Sequence, residues 1–209
     1  MGEETVLATL GRAQVLPVVA VDDDAVVPDL CAALLAGGIS TVEITFRTAA
    51  AAAAIARAAE IEGMVVGAGT VLTSEQASAA ADAGAAFAVA PGTDDEVVAA
   101  CRGLGLPFFP GIATPSELGH ALRLGCTTVK VFPASTLGGA AFLRAVSATF
   151  PQARFLPTGG IDAASLGSYL AVPAVIACGG SWICDARSIA ERDFAGIERR
   201  ARAATEAIG

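Results

Sequence analysis

Short apolar runs alternate with alanine-rich segments along the 209-residue chain. The apolar runs are rich in Val, Ile and Phe, which is typical of β-strands, and they begin 20 to 27 residues apart. They begin at Val15, Val42, Val65, Phe87, Pro107, Val129, Arg154 and Val175. The segments between them, such as SEQASAAADAG from Ser74, are compatible with helices. The pattern therefore predicts eight successive βα units.

The strands carry apolar residues almost without interruption, which predicts burial on both faces, as in a parallel sheet covered by helices. Eight units with none to spare favour a closed (β/α)₈ TIM barrel over an open doubly wound sheet. We expect an extra N-terminal helix over residues 1–13 and a long final helix over residues 188–208. Because no linker or low-complexity boundary interrupts the pattern, the sequence predicts one domain over residues 1–209.

Three T-x-x-E/Q boxes mark predicted helix starts, since each can satisfy backbone N–H groups that lack partners in the first helical turn. The boxes run from Thr73 to Gln76, Thr93 to Glu96 and Thr114 to Glu117.

The formal net charge of -8 leaves no basic footprint for nucleic acid or an anionic membrane. Anionic small molecules remain compatible, because a few arginines and backbone N–H groups can make one cleft locally positive. The start, MGEETVLATLGR, does not read as a secretory signal, and no stretch is apolar enough to span a membrane. We therefore expect a cytoplasmic protein.

Five cysteines, at positions 31, 101, 126, 178 and 184, form no CxxC pair. Their odd number suits a reducing compartment, and we interpret them, Cys178 included, as small buried apolar residues. The only histidine, His120, falls in a predicted helix and is interpreted as a surface residue. With one histidine, the sequence excludes a histidine-based triad and a histidine-rich metal site.

Polar side chains interrupt the second apolar run, TVEITFRT. The two-residue period of a strand places Glu43, Thr45 and Arg47 on one face and the apolar residues on the other. In a barrel, chemistry occurs where strands end, so these side chains are candidate site residues. A structural ion pair between Glu43 and Arg47 is the alternative interpretation.

Lys130 is the only lysine among 13 basic residues, and it lies inside the apolar run TTVKVF, with Phe132 on the same face. Arginine is always protonated, whereas a buried lysine can lose its proton and act as an amine nucleophile. A lysine kept in a strand of an arginine-rich chain therefore suggests nucleophilic chemistry. Chance survival in a salt bridge is the alternative.

Two glycine pairs end the last two strands: Gly159 and Gly160 in TGGI, and Gly179 and Gly180 in CGGS, which Ser181 follows. Glycines let a phosphate approach the backbone, and the loops after strands seven and eight commonly bind phosphate in barrels. Ordinary turns are the alternative.

Two further strand ends add candidates. Thr70 in GAGT ends the third strand, where its hydroxyl either binds a carboxylate or starts a turn, and Pro91 in APG ends the fourth.

Taken together, VLPVV, GGISTVEITFRT, VGAGTVL, FAVAPG, PFFPGIATPSE, VKVFPA, RFLPTGGI and GGSWI resemble the sequence blocks of the 2-keto-3-deoxy-6-phosphogluconate (KDPG) aldolase family. The resemblance covers nearly the whole chain. It implies a class I aldolase on a (β/α)₈ barrel, usually a homotrimer, that cleaves a phosphorylated keto acid to pyruvate and glyceraldehyde 3-phosphate without a metal or cofactor. Gln14 and Ser135 depart from the residues that some members carry.

The resemblance also implies roles for individual residues. Lys130 matches the lysine that forms the Schiff base, and Glu43 matches the general acid and base. Arg47 and Thr70 match the groups that hold the substrate carboxylate. The phosphate-binding positions are Gly159, Gly160, Gly180 and Ser181, and the pocket-lining positions are Pro91 and Phe132.

Three alternatives stay open at this point. Within the family, the substrate could be 4-hydroxy-2-oxoglutarate (KHG) or the galactonate epimer of KDPG, although the glycine loops favour a phosphorylated compound. Outside it, the chain could be a barrel that binds a sugar phosphate without turning it over. Such a protein would not need Glu43, Arg47 and Lys130 together.

Overall fold

Parallel strands alternate with helices along the chain, as the hydrophobic pattern predicts. The structure, a computed structural model, describes residues 1–208, so Gly209 of the predicted domain lies outside it. The strands are β1 (Val15–Val19), β2 (Thr41–Thr45), β3 (Val65–Gly69), β4 (Phe87–Val89), β5 (Phe108–Phe109), β6 (Gly111–Ile112), β7 (Thr128–Val131), β8 (Arg154–Pro157) and β9 (Cys178–Gly180).

The helices follow the strands, except for the first, which precedes β1 in the segment where the sequence predicts a helix over residues 1–13. The helices are α1 (Glu3–Ala13), α2 (Val27–Ala36), α3 (Ala51–Ala59), α4 (Ser74–Asp82), α5 (Asp95–Gly103), α6 (Pro115–Arg123), α7 (Gly139–Thr149), α8 (Leu166–Leu170), α9 (Ala186–Ala190) and α10 (Phe194–Glu206). No helix within residues 1–208 is long and apolar enough to cross a membrane.

The strands form two parallel groups. Six of them pair in the order β5-β4-β3-β2-β1-β9, and three pair in the order β6-β7-β8. In the ladders that matter for the site, Glu43 on β2 is level with Gly67 on β3, and Lys130 on β7 is level with Gly111 on β6 and Leu156 on β8. Because all pairs are parallel, the carboxyl ends of the strands within each group face the same way.

Two clusters of buried side chains surround the strands. The larger lies mostly between strands and helices, and the smaller joins Val6 and Leu10 of α1 to side chains from several strands. Its strand members and their neighbour before β9 are Leu16, Phe87, Val89, Phe109, Leu156 and Ala177. The N-terminal helix is therefore packed on strand side chains that do not face the outer helices.

The predicted fifth strand is divided at Pro110 into β5 and β6. Proline has no N–H group, so it cannot donate to a ladder, although its carbonyl here accepts from the Lys130 N–H at 2.8 Å. The eighth strand begins at Cys178 rather than Val175, because its partner β1 begins at Val15, which is level with Cys178.

The prediction of one long final helix over 188–208 is wrong. Arg192 has a φ of 54°, the left-handed conformation, which ends α9. Asp193 then caps α10 by accepting from the Gly196 N–H at 2.9 Å. The chain therefore turns between α9 and α10, and Asp193 caps the second helix.

The three predicted capping boxes have different outcomes. Thr114 and Glu117 form a complete box at α6. At α4, Thr73 accepts from the Gln76 N–H, but the Gln76 side chain accepts from Leu72 instead of returning to Thr73. The third box is wrong: Asp94 caps α5, and the Thr93 hydroxyl donates to the Gly111 carbonyl at 2.8 Å.

Four of the five cysteines are buried, and the fifth, Cys126, is half-buried. Burial raises the pKa of the Cys31, Cys178 and Cys184 thiols to about 12 and that of Cys101 to about 11. These groups are therefore neutral thiols at physiological pH and pack as small apolar side chains. His120 lies at the α5–α6 surface, where its Nε2 is 2.6 Å from Asp95.

We predict that the buried thiols of the native protein resist alkylation at pH 8, because the reactive thiolate is almost absent when the pKa is raised this far. Iodoacetamide labelling followed by peptide mass mapping should modify Cys126 first, and all five cysteines only after denaturation. Rapid labelling of Cys31 in the native state would contradict the buried environment.

We also predict that Gly37→Ala destabilises the protein by about 1–3 kcal/mol. The φ of Gly37 is -81°, so alanine fits the backbone, but its Cβ would lie 2.4 Å from the Cβ of Ala201 on α10. Gly103→Ala is the control, because no atom lies within 4 Å of the new Cβ. Urea unfolding should separate the two variants, and equal free energies of unfolding would refute the tight α2–α10 contact.

Candidate active site

A cavity of about 480 Å³ opens at the carboxyl ends of the strands. It brings together all ten residues to which the family resemblance assigns a role, and Thr45 beside them. The ten are Glu43, Arg47, Thr70, Pro91, Lys130, Phe132, Gly159, Gly160, Gly180 and Ser181. They come from six different strands or the loops that follow, so only the folded chain makes them neighbours.

Lys130 and Glu43 meet at the base of this cavity. The Lys130 Nζ donates to the Glu43 Oε1 at 3.0 Å, and the two side chains are 6% and 1% exposed. Two charges this far from water are costly unless each has a partner, and here each is the other's partner. The short contact also makes direct proton exchange between amine and carboxylate possible.

Gly69 makes room for the acid. A Cβ at this position would lie 2.3 Å from the Glu43 Oε1 and 2.7 Å from its Cγ, which is far inside contact distance. The end of β3 therefore has to be glycine for the Glu43 side chain to lie across it toward Lys130.

Arg47 does not pair with Glu43, so the alternative of a structural ion pair between them is wrong. Arg47 lies in the turn after β2, and its Nε donates to the Thr45 Oγ1 at 3.0 Å. The Thr45 hydroxyl in turn donates to the Val19 carbonyl on β1 at 2.9 Å. Within residues 1–208, no carboxylate lies within 4 Å of the Arg47 guanidinium. Its remaining N–H groups are thus available to an anionic ligand.

Thr70 follows β3 and has a φ of 57°, in the left-handed region. For a β-branched residue this conformation costs about 1–3 kcal/mol, and it persists only where the surroundings impose it. Thr70 lines the cavity. The strained residue is thus at the mouth of the cavity, where such strain commonly serves a site.

Both positions of the glycine pair after β8 also require glycine. Gly159 and Gly160 have φ values of 98° and 70°, and a Cβ on Gly160 would lie 1.9 Å from the Ser135 Oγ. The next helix, α8, begins only at Leu166, so irregular chain and not a helix end directly follows the glycines. Helix N–H groups are therefore not adjacent to the glycines.

At the end of β9, Gly180 lies under an aromatic ring. A Cβ there would be 1.8 Å from the ring of Trp182, and one on Gly179 would be 2.3 Å from the Thr158 Oγ1. The two glycine pairs are adjacent in space, because Thr158 forms an isolated bridge with Gly179. Their backbones together form one side of the cavity wall.

Phe132 and Pro91 form an apolar part of the cavity wall. The Lys130 Nζ lies 5.8 Å from the centroid of the Phe132 ring, close enough for the ring face to favour a cation there. Phe132 is also 38% exposed, which is unusual for so large an apolar side chain and is consistent with a wall that a ligand covers.

Sequence reasoning missed several lining residues. They are Val18, Thr158, Ile161, Trp182 and Asp185. Trp182 is the only tryptophan of the chain and follows GGS directly, which was a usable signal. No sequence signal marked Asp185, because its place at the cavity depends on how the loop after β9 turns.

Comparisons with known proteins agree with this geometry. A sequence model of the family described as KDPG and KHG aldolase matches residues 6–200. A protein of Treponema pallidum named 2-dehydro-3-deoxy-phosphogluconate aldolase is 46% identical over 98% of both chains. One of the same name from Pseudomonas aeruginosa is 42% identical over 93% of this chain and 89% of its own.

A solved structure gives the same result. KDPG aldolase from Legionella pneumophila, with pyruvate captured at low pH as a covalent carbinolamine intermediate, is 36% identical and has a TM-score of 0.91 over 95% of this chain and 97% of its own. The family resemblance of the sequence blocks is confirmed: this chain belongs to the KDPG and KHG aldolase family.

Proposed function

We propose that this protein is a class I aldolase that cleaves 2-dehydro-3-deoxy-6-phosphogluconate, the compound called KDPG above, to pyruvate and glyceraldehyde 3-phosphate. The observation that carries the proposal is the buried contact of 3.0 Å between the only lysine and Glu43 at the base of the cavity. An amine beside a carboxylate that can accept its proton is what Schiff-base formation requires. The family supplies the same activity.

Lys130 begins the reaction as the nucleophile. Glu43 takes a proton from the ammonium, and the free amine attacks the C2 carbonyl to give a carbinolamine. Glu43 returns its proton to the carbinolamine hydroxyl, which leaves as water, so Glu43 is a carboxylate again. The iminium that remains between C2 and Nζ carries a positive charge that accepts electrons from the bond that breaks next. Because the iminium is the electron sink, this sequence needs no metal or cofactor.

Glu43 serves as base and then as acid. It removes the proton of the C4 hydroxyl, directly or through one water, while the C3–C4 bond breaks and the electron pair moves into an enamine. Glyceraldehyde 3-phosphate leaves, and the protonated Glu43 returns a proton to C3. Water then hydrolyses the iminium, which releases pyruvate and restores the Lys130 amine.

Arg47 and Thr70 hold the carboxylate of the keto acid. The Arg47 guanidinium is exposed at the mouth, with its Nε engaged by Thr45 and no protein carboxylate on its other N–H groups within residues 1–208. Charge-assisted contacts to a carboxylate are about twice as strong as neutral ones. The contact fixes C1 and, with it, the position of C2 over Lys130.

Gly159, Gly160, Gly180 and Ser181 hold the phosphate at the other end. Without side chains, the glycines let phosphate oxygens reach backbone N–H groups, and Ser181 adds a hydroxyl. With the carboxylate held at Arg47, this places the scissile bond between the two anchors.

Cleavage of KHG is the second candidate, because the family description includes it and KHG presents the same keto-acid end to Lys130. KHG has no phosphate, so the glycine loops would have only its second carboxylate to hold. Turnover compared on KDPG, its galactonate epimer and KHG decides the preference.

The strands form one closed (β/α)₈ barrel, to which α1 is the additional helix. Two observations support closure: the isolated bridges Phe155–Val175 and Thr158–Gly179 join β8 to the segment of β9, and β5 and β6 are separated by Pro110 alone. Counted as one strand, β5 and β6 connect the two groups of strands and give eight strands in sequence order.

The chain is a single domain over residues 1–209 that works in the cytoplasm as a homotrimer. Core side chains in contact extend from Val15 to Ala204, which supports one domain. The family resemblance implies the trimer, and exposed Leu72 and Leu104 are apolar side chains that an interface would cover.

We predict that borohydride reduction in the presence of pyruvate attaches pyruvate to Lys130. Arg187→Lys is the matched control, because it adds a second lysine at a side chain that is 83% exposed. Peptide mass mapping should find the adduct on Lys130 in both proteins and none on the new lysine. Lys130→Arg keeps the charge and should lower cleavage by about 10³-fold or more; substantial activity in that variant would refute the assignment.

We predict that Glu43→Gln lowers kcat by about 10²-fold or more, since the amide cannot accept or return a proton. Glu191→Gln, which alters an exposed carboxylate on the rim of α9, is the control and should leave kcat unchanged. Circular dichroism must show both variants folded. Full turnover by a folded Glu43→Gln protein would assign Glu43 to structure alone.

A further inference from the structure

The loop after β9, Ser181–Asp185, is part of the cavity wall. Ser181, Trp182 and Asp185 all line the cavity, and Gly180 lies directly before them. In the proposed function this loop and Gly180 before it carry half of the phosphate site. What holds the loop in place therefore matters for the phosphate end of the substrate.

The middle of this loop has little support from its own backbone. Trp182, Ile183 and Cys184 lie in bends and make no backbone–backbone hydrogen bonds within residues 1–208. The side chains of Ile183 and Cys184 are buried, which fixes the loop from below. Among residues 1–208, one side chain donates to a backbone carbonyl of this loop, that of Arg200 to the Ile183 carbonyl.

Arg200, on α10, joins the middle of the loop, its C-terminal end and the start of α9 to one guanidinium. Its Nε donates to the Ile183 carbonyl at 2.9 Å, and its Nη2 donates to the Ser188 Oγ at 2.7 Å. The Asp185 carboxylate lies 3.6 Å from the same Nη2, and Asp193 lies 4.0 Å from Nη1. A planar guanidinium presents these donors in a fixed fork, so the contacts constrain each other.

The helix that carries Arg200, α10, is packed firmly in the structure. Ile197, Ala201 and Ala204 bury one face of α10, which packs against α2. Arg200 itself is only 34% exposed. The fork is thus held by a packed helix that contributes no residue to the cavity.

Arg200 also offsets a negative charge in the cavity wall, that of Asp185. Asp185 lines the same cavity as the proposed phosphate site. Hydrogen bonds from the Ser188 N–H and hydroxyl, together with the Arg200 charge, lower the pKa of Asp185 below its usual value, so it is ionised at neutral pH. A carboxylate beside a phosphate repels it, and the Arg200 guanidinium offsets this charge.

We propose that Arg200 is a positioning residue for the phosphate end of the substrate: it holds the Ser181–Asp185 loop and balances the Asp185 charge without touching the substrate. The inference rests on the proposed function. It predicts an effect on phosphate recognition alone, because the contacts of Arg200 do not reach Lys130 or Glu43.

The test is Arg200→Met, which keeps the length of the side chain but removes the fork and its charge. The KM for KDPG should rise about tenfold, the loss expected for one hydrogen bond to a charged group. Exchange of the pyruvate methyl protons with deuterated water, which uses Lys130 and Glu43 but no phosphate, should keep its wild-type rate. Arg200→Lys, which keeps the charge and one donor, should give an intermediate KM.

Arg202→Met is the matched control. Arg202 is on the same helix, but its guanidinium donates to the Ala36 carbonyl and Glu198, away from the cavity. It should leave the KM unchanged, and urea unfolding should report how much stability each variant loses.

An unchanged KM in a folded Arg200→Met protein would overturn the inference and leave the proposed function standing. So would an equal KM rise in Arg202→Met, or a parallel loss of pyruvate exchange, since either means a general structural effect. If Arg200→Met does not fold, the KM of Arg200→Lys decides in the same way. Failure of the wild-type protein to trap pyruvate at Lys130 would instead overturn the proposed function, and the inference with it.

Discussion

A buried ammonium and a buried carboxylate, Lys130 and Glu43, impose the main constraint on this structure. Taking each charge out of water costs several kcal/mol, and at 3.0 Å their mutual attraction is of the same order. The cost of desolvation and the attraction between the charges therefore nearly cancel, and the pair adds little net stability. Loss of one partner would still leave the other charge buried and unpaired. Such an arrangement is retained for its chemistry, and the surrounding fold has to keep both groups at this separation.

Much of the local sequence follows from that requirement. Glu43 reaches Lys130 only because Gly69 has no side chain in its path. The N–H of Lys130 is fixed by the Pro110 carbonyl, so the proline that interrupts the ladder still anchors the nucleophile's backbone. The polar residue nearest on β2, Thr45, holds Arg47 away from Glu43, which leaves the acid to the lysine. Each of these positions looks like a small irregularity by itself, and together they define one geometry.

The alternation of strands and helices, and the reactive candidates Glu43 and Lys130, could be predicted from the sequence because both depend on local patterns. A two-residue period put Glu43 and Thr45 on one face, and a single lysine inside an apolar run stood out against 12 arginines. The features that were missed depend on contacts between distant residues or on competition between neighbours. Asp94 displaced Thr93 as a cap, because Thr93 found a partner on β6. Arg200 and Asp185 are 15 positions apart and meet only after α9 and α10 turn at Arg192.

The burial of the only lysine has a practical consequence for anyone who handles this protein. Reagents that couple to primary amines, such as activated esters on a biosensor surface or a fluorophore, normally attack many lysines and yield a mixture of orientations. Here the side chain of the only lysine is 6% exposed and lies at the base of the cavity, so no lysine is presented at the outer surface. Lysine-directed coupling therefore has no surface side chain to attack, and a single introduced lysine, as in Arg187→Lys, would define the point of attachment.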